Sequence, residues 1–385
     1  MLELAIKGNK WYWGWVVVLL GIIGVGFGIY MMQLQFGLGL TGLSRDVSWG
    51  FYIANFTYLV GVAAGGVMVV LPFYLHNYKA YGRITVLGEF LAIAAIIMCL
   101  LFIVVDLGQP MRMLNVFLYP SPSSMLFYDA IVLNGYLFLN LVIGWNVLEA
   151  ERNGVHYQSW LKPLIYISIP WAVSIHTVTA YLYCGLPGRH YWLTAVLAPR
   201  FLSSAFAAGP ALLVLLCLFI RKFTKFDPGK EQIQTLAKTV AYAICINVFF
   251  FLCEVFVAFY SKIPGHMTHI QYLFSGLHGH GAMVPWMWAS MILMVAGIVL
   301  TVTPATRRNE TTLAIACMVI IMGTWIDKAL GMIAGGFVPN PMHEFNEYAP
   351  TVPEMGISLG VYAVGALVLT LLYKMAIRVK EEVRA

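Results

Sequence analysis

Long apolar runs recur along the whole sequence, and they limit the possible folds more than any other feature. Each run has roughly 18 or more residues, enough for a helix to cross about 30 Å of hydrocarbon. Of the 385 residues, 61% are hydrophobic and only 10% are charged, too few for the polar surface of a water-soluble domain. The sequence therefore predicts an all-α integral membrane protein with about ten transmembrane helices. The predicted spans cover residues 13–36, 49–75, 82–106, 124–148, 161–184, 200–221, 238–261, 284–304, 311–335 and 356–377.

Basic residues predict the orientation of these spans. With the N-terminus inside, the outer segments hold only Arg45, Arg112, Arg189, Arg200 and Lys262, and the inner segments hold roughly three times as many basic residues. The same distribution argues against a nucleic-acid partner, because the basic residues follow the loops and form no patch. We expect a multi-pass protein of the plasma membrane with both termini in the cytoplasm.

A short internal similarity indicates how the spans are grouped. Residues 63–65 of the second span and 207–209 of the sixth both read Ala-Ala-Gly, in similar apolar surroundings. Both spans cross in the same direction, four helices apart, which is typical of a parallel repeat. The single polytopic domain, residues 1–385, is therefore predicted to contain two four-helix bundles with one flanking helix at each end. The first bundle is residues 49–184 (spans 2–5) and the second is residues 200–335 (spans 6–9).

Few ionisable residues lie away from the ends of the predicted spans, and each of these is a candidate for function because a charge in hydrocarbon is costly. They are Glu89, Asp129, His176, Glu254, Asp327 and Lys328. His176, Asp129 and Glu89 are the candidate catalytic residues, since their depths, graded from the outer side to the inner third, are typical of a proton relay. An imidazole that titrates near neutral pH can exchange a proton with a quinol hydroxyl or a quinone carbonyl. The alternatives are structural: a packing bond for His176, ion pairing for Glu254 and Asp327, and a nearby carboxylate as the partner of Lys328.

Metal-centred chemistry has little support in the sequence. The six cysteines form no C-x-x-C pair, no haem-attachment motif and no iron–sulfur run. A transmembrane b-type haem needs two histidines that face each other within the spans, and His176 is the one that lies well inside a span. We therefore expect no metal site, no haem and no iron–sulfur cluster in this chain.

Three stretches of sequence carry a resemblance to a known family. They are DLGQPMR followed by SPSSM after the third span, WGFYIANFTYLVGVAAGG in the second, and SIHTVTAYLYCGLPGRHYWLTAVLAPRFLSSAFAAGPALL across the fifth and sixth. These motifs and the ten-span layout resemble the NrfD/polysulfide reductase C family. Within it, the SIHTVTA…GLPGRHYW segment is most similar to the DsrP branch, the membrane subunits of the DsrMKJOP complexes of sulfate and sulfite reducers.

The resemblance implies a quinone-binding membrane subunit without a metal cofactor. Such a subunit exchanges electrons between exchangeable menaquinone and an iron–sulfur partner docked on the outer face. For the DsrP branch, it implies a ferredoxin-like DsrO-type subunit, a multihaem cytochrome c, a cytochrome b subunit and a cytoplasmic iron–sulfur subunit as partners. It also implies that the quinone head lies in the first four-helix bundle near the outer face. The residues at matching positions are Asn55, Tyr52, Tyr128, His176, Asp129 and Arg112.

These observations together predict a quinone-reactive subunit of a respiratory oxidoreductase associated with sulfite or sulfate reduction. Two other classes stay open. Buried acids also occur in ion-coupled secondary transporters, which carry interrupted helices in corresponding spans; Pro170 interrupts the fifth span but has no matching partner. Elaborate outer loops would also suit a purely structural anchor for soluble redox proteins.

Overall fold

The computed structural model describes residues 2–76 and 79–383. Within this part of the chain, ten helical segments are long and apolar enough to cross a membrane. In chain order, spans 1 to 10 are Lys10–Leu40, Phe51–Leu75, Thr85–Asp106, Met125–Arg152, Leu161–Cys184, Leu197–Phe223, Lys230–Tyr260, Val284–Val302, Glu310–Phe337 and Val352–Glu382. The predicted all-α multi-pass fold is confirmed, since each predicted span overlaps one of these segments.

Three of the spans are not continuous α-helices. Span 1 is helical over Lys10–Phe36 and tightens into a 3-10 turn at Gly37–Leu40. Span 2 is divided at Gly66 into helices Phe51–Gly65 and Val67–Leu75. Span 9 runs from Glu310–Trp325 through a π-helical turn, Ile326–Gly331, into Met332–Phe337. The shorter helices outside the spans are Leu2–Ile6, Lys79–Arg83, Pro110–Arg112, Asn115–Leu118, Pro264–Ser275 and Pro304–Arg308.

The packing of the spans follows the chain closely. Spans 2 to 5 each contact the next, and span 5 also contacts span 2; spans 6 to 9 show the same pattern, with span 9 returning to span 6. Span 2 packs directly on span 6, while span 10 packs on spans 1 and 3. The division into two four-helix bundles stays a prediction. We call the side that carries loops 107–124 and 338–351 the outer face, in line with the predicted orientation.

Spans 2 and 6 meet where their Ala-Ala-Gly sequences match. A Cβ atom built on Gly65 would lie 2.5 Å from the Cα atom of Gly209, and one on Gly209 would lie 2.6 Å from the Cα atom of Gly65. Any larger side chain would push the two backbones apart, so both glycines are needed for this close approach. The paired positions of the proposed repeat therefore face each other at the centre of the protein.

A buried carboxylate holds the outer loops onto the helix ends. Glu354 is fully buried, and it forms a capping box with Thr351 at the start of span 10. Its carboxylate also accepts hydrogen bonds from the Gly42 amide (2.8 Å) and the Tyr348 hydroxyl (2.7 Å). The Tyr348 hydroxyl in turn accepts a bond from the amide of Phe51 at the start of span 2. These bonds fix the outer ends of spans 2 and 10 relative to the loops above them.

Candidate functional site

The centre of the candidate site is a histidine–lysine contact between spans 5 and 9. His176 is completely buried, and its Nε2 atom lies 2.9 Å from the Nζ atom of Lys328. The lysine Nζ also donates to the Phe201 carbonyl (3.4 Å) and lies 4.4 Å from the centre of the Phe201 ring. This bond uses Nε2 of the imidazole and leaves Nδ1 as its second polar atom. In the described part of the chain, buried Nδ1 has no hydrogen-bond partner.

Span 2 approaches this contact through a glycine. A Cβ atom at Gly61 would lie 3.1 Å from the Nζ atom of Lys328 and 3.5 Å from the Nε2 atom of His176. A larger side chain at this position would displace the two polar groups. Gly61 therefore provides the space in which the histidine and the lysine meet.

Two further polar pairs lie on the same face of span 5. Thr179 follows His176 by nearly one helical turn, and its hydroxyl donates to the Asp129 carboxylate of span 4 at 2.6 Å. Tyr183, one turn further, shares a hydrogen bond with Thr57 of span 2. Asp129, Thr57, Thr179 and Tyr183 are all buried. The structure therefore places Asp129 and His176 along one line of buried polar side chains that leads towards the outer face.

A second polar cluster is fully ion-paired. Arg200 of span 6 contacts Glu254 of span 7 at 2.6 Å and Asp327 of span 9 at 2.7 Å. Its guanidinium group also lies over the ring of Phe251, 4.9 Å from the centroid. The structure therefore contains the ion pairing that was the structural alternative for Glu254 and Asp327. The expectation of a carboxylate partner for Lys328 is wrong, because Arg200 takes both acids. Arg200 itself lies inside span 6 and is buried, contrary to its predicted place in an outer segment.

Asn55 and Tyr52 are buried, and their side chains form hydrogen bonds to residues of neighbouring helices. The Asn55 side-chain oxygen accepts from Trp325 (3.0 Å) and Tyr362 (2.8 Å), which connects span 2 to spans 9 and 10. The Tyr52 hydroxyl donates to Gln33 at 2.7 Å, and Gln33 donates to a carbonyl of span 3. Both predicted quinone ligands therefore have protein partners that join neighbouring helices.

The other predicted site residues lie apart from His176. Tyr128 is 41% exposed beside buried Asp129, and Arg112 is exposed in the outer loop. Glu89 lies near the inner end of span 3, only 2% exposed, and its Oε2 atom has no partner among the described residues. The structure places His176 and Asp129 on the same line of polar side chains, where Thr179 connects Asp129 to span 5. Glu89 and Arg112 lie outside this line, and Tyr128 is the exposed chain neighbour of Asp129.

Two open cavities, each of about 230 Å³, lie away from this line of polar groups. One is at the outer face between span 7, the loop before span 6 and the helix Pro264–Ser275, and Glu254 forms part of its wall. The other lies at the inner face around the connection of spans 4 and 5, between Asn146 and Leu161. We call the first the outer cavity.

Comparison with known proteins identifies the family. The family model described as "Polysulphide reductase, NrfD" matches residues 39–339, a range that contains every polar residue of the two clusters. The chain belongs to the NrfD family. The family predicted from the motifs of spans 2, 5 and 6 is therefore confirmed.

Three relatives cover most of this NrfD protein. A putative membrane subunit of a dimethyl sulfoxide reductase from Halobacterium salinarum is 25% identical over 92% of this chain and 89% of its own length. The Hdr-like menaquinol oxidoreductase integral membrane subunit of Archaeoglobus fulgidus is 25% identical over 76% of this chain and 70% of its own. The menaquinone reductase integral membrane subunit of Nitratidesulfovibrio vulgaris is 22% identical over 91% and 88%, respectively.

Sequence reasoning missed two features of this NrfD site. Arg200 follows Pro199 and is the first residue of the predicted sixth span, so the sequence predicts it among the basic residues of the outer segments. The available signal was Glu254 and Asp327, two acids at similar depth that required a cation. Lys328 was predicted to pair with a carboxylate, because a positive charge favours a negative partner, so its contact with the His176 imidazole was missed. The depth of His176 in span 5 was the signal that could have indicated this pair.

Proposed function

We propose that this NrfD protein exchanges electrons between menaquinone in the membrane and an iron–sulfur subunit docked on its outer face, as one subunit of a respiratory oxidoreductase. The observation that carries this proposal is the buried imidazole of His176, whose Nδ1 atom has no protein partner among the described residues. An unpaired buried polar atom is costly, so this nitrogen fits a ligand oxygen that can donate or accept a hydrogen bond. Two of the relatives described above are named for menaquinol or menaquinone chemistry, which supports the choice of ligand.

The side chains around His176 suit proton exchange with such an oxygen. When bound, a quinone supplies two-electron chemistry coupled to protons. Lys328 holds Nε2 of the imidazole, so the ring presents Nδ1 to the ligand. Asp129, held by Thr179, is a second proton-accepting group one turn along the same line. His176 and Asp129 would therefore exchange protons at the ligand oxygens, because an imidazole and a carboxyl group can each hold and release a proton.

The remaining predicted ligands receive different roles in this proposal. Asn55 and Tyr52 hold spans 1, 2, 9 and 10 together through their hydrogen bonds, and so keep Gly61 against the histidine–lysine contact. Tyr128 and Arg112 are exposed towards the outer end of span 4 and the loop before it. We assign them to the path by which the ligand head reaches Asp129.

The partners follow from the outer face and from the sequence motifs. Exposed apolar side chains, including Met111, Leu118 and Tyr119, cluster in the outer loop 107–124, and such patches mark interaction sites. We propose a ferredoxin-like iron–sulfur subunit there, in a complex of the DsrP type with a multihaem cytochrome c, a cytochrome b subunit and a cytoplasmic iron–sulfur subunit. In this arrangement the chain itself contributes no haem or cluster. Purification of the tagged protein with these partners, and with menaquinone extractable from its lipid fraction, tests this proposal.

The site is tested by replacing His176. His176→Ala removes Nδ1 and is expected to lower quinol oxidation by at least about a hundred-fold, the lower end of the typical contribution of a general acid–base group. Val173→Ala, on the exposed face of the same span, serves as the matched control and should retain activity. Both variants should assemble with their partners. If the assembled His176→Ala complex oxidises quinol as fast as wild type, the site lies elsewhere.

A further inference from the structure

The outer cavity has the composition of a site for an amphipathic ligand. Its wall is largely apolar, with Leu193, Val196, Val257 and Ile270, and it has a volume of about 230 Å³. Small-molecule sites generally occupy about 300–1,000 Å³ and combine apolar walls with a few polar groups. A cavity slightly below that range suits a ring-sized head group. Leu193 and Val257 are about half exposed, so a tail could leave the cavity along their side chains into lipid.

Glu254 gives this cavity an acceptor at its inner end. The carboxylate lines the cavity, and its side chain is only 14% exposed. Its Oε2 atom accepts the bond from Arg200. In the part of the chain that the structure describes, no hydrogen bond reaches Oε1. Because a carboxylate only accepts, the group that best fits this position is a hydrogen-bond donor.

His266 provides a second polar group in the wall. It belongs to the helix Pro264–Ser275, so it approaches the cavity from a different element than Glu254 does. Burial, together with neighbouring His190, lowers the pKa of His266 below its usual value. A neutral imidazole can donate with one nitrogen and accept with the other. A ligand with a hydroxyl group at each end of a flat ring would be able to use both residues.

From these observations we infer that the outer cavity is a second binding site for a hydroquinone, separate from the site at His176. The inference rests on the proposed function, which supplies this ligand class. The hydroquinone would donate one hydroxyl to Glu254 and place the other near His266, with its tail in the lipid beside Leu193 and Val257. Its hydroxyl groups match the unused acceptor of Glu254, and its ring matches the apolar walls.

A chain of polar contacts connects the two sites, and this limits the choice of variants. Glu254 contacts Arg200, Arg200 contacts Asp327, and the next residue, Lys328, contacts His176. Replacing Glu254 would therefore disturb Arg200 and, through it, the surroundings of Lys328. Ala195 is a better position, because it lines the cavity, is exposed and carries no charge.

The experiment counts bound ligand in wild type and in filled-cavity variants. The protein is placed in phosphatidylcholine nanodiscs and labelled with a photoreactive naphthoquinol kept reduced, and the labelled peptides are mapped. Wild type should bind two probe molecules, with labels near His176 and near residues 253–258. Ala195→Trp, and independently Val257→Trp, should remove the second label and keep the first. Phe256→Trp, a lipid-exposed neighbour outside the cavity wall, is the control and should keep both.

The other outcomes separate this inference from the proposed function. A single label near His176, unchanged by Ala195→Trp, would overturn the second site and leave the proposed function standing. No label at either position would overturn both. A label at the outer cavity that added phosphatidylethanolamine displaces, but excess unlabelled naphthoquinol does not, would identify a lipid site and overturn the hydroquinone assignment.

Discussion

Two groups of polar residues lie side by side in the outer half of the protein: Arg200 with Glu254 and Asp327 (the Arg200 cluster), and His176 with Lys328 (the His176 cluster). Their hydrogen-bonding groups are used differently. Arg200 is paired with two carboxylates and covered by an aromatic ring. His176 has one nitrogen bonded to Lys328 and the other without a partner among the described residues. Within a membrane, paired charges hold helices together, whereas a buried polar atom without a partner is retained for a ligand or a proton. The comparison thus separates a cluster whose charges are paired from a histidine with an unused nitrogen, within a single connected network.

The largest expected effect comes from breaking the ion-paired cluster. Arg200→Met leaves Glu254 and Asp327 buried without a cation, which typically costs about 3–5 kcal/mol. Thermal unfolding of the detergent-purified variant should show a clear loss of stability or of folded yield. The triple variant Arg200→Met/Glu254→Gln/Asp327→Asn removes all three charges and should recover part of the loss. An unchanged melting temperature for the single variant would show that the cluster is not structural.

A smaller loss of stability is expected at the boundary between the clusters. Lys328→Met leaves Nε2 of His176 without its hydrogen-bond partner, at a cost of about 1–3 kcal/mol. It also removes the bond that orients the ring, so quinol oxidation should fall further than stability alone explains. The double variant His176→Phe/Lys328→Met should regain stability but not activity. If activity returns in the double variant, the imidazole has no role in the reaction.

His269 extends the comparison to a histidine outside the spans. It is buried in the helix Pro264–Ser275 and hydrogen-bonds the Val338 carbonyl at 3.1 Å. Burial lowers the pKa of His269 to about 4, so between about pH 6.5 and 4 the unfolded chain binds more protons than the folded one. Stability should therefore fall with decreasing pH, by about 1.4 kcal/mol for each pH unit inside this window.

The matched variant His269→Gln should lose this part of the pH dependence. Melting temperatures at pH 6.5 and 5.5, measured for wild type and variant together, isolate the contribution of one imidazole from other titrating groups. Equal slopes in the two proteins would mean that His269 is not held neutral by the fold.

The smallest effect on ligand binding is expected at Glu89, which lies far from both clusters near the inner end of span 3. Glu89→Gln keeps the shape of the side chain and removes its ability to release a proton. Quinone binding should be unchanged, and proton-coupled turnover in vesicles should slow. An unaltered number of protons per quinol would exclude Glu89 from an inward relay.

The spans could be predicted because residues that cross a membrane are mostly apolar, and long apolar runs are visible in the sequence. A run of apolar residues must be helical in lipid, where every backbone group needs an internal partner. The same criterion misplaced Arg200, because a cation near the end of an apolar run is assigned to the membrane interface until its partners on other helices are known. The ligand assignments for Asn55 and Tyr52 came from family resemblance alone. Their hydrogen bonds to spans 1, 9 and 10 depend on how each helix is rotated about its axis. The sequence of an apolar span without a clear polar face does not show this rotation.

Asp327 and Lys328 are consecutive residues in the π-helical turn of span 9, yet each serves a different cluster. Successive side chains on a helix differ by about 100° in direction, so this turn must be held at one rotation to satisfy both. Inserting or deleting one residue there would turn both side chains away from their partners together. Substitutions can therefore change single side chains of this turn, but its number of residues is fixed by the contacts of both Asp327 and Lys328.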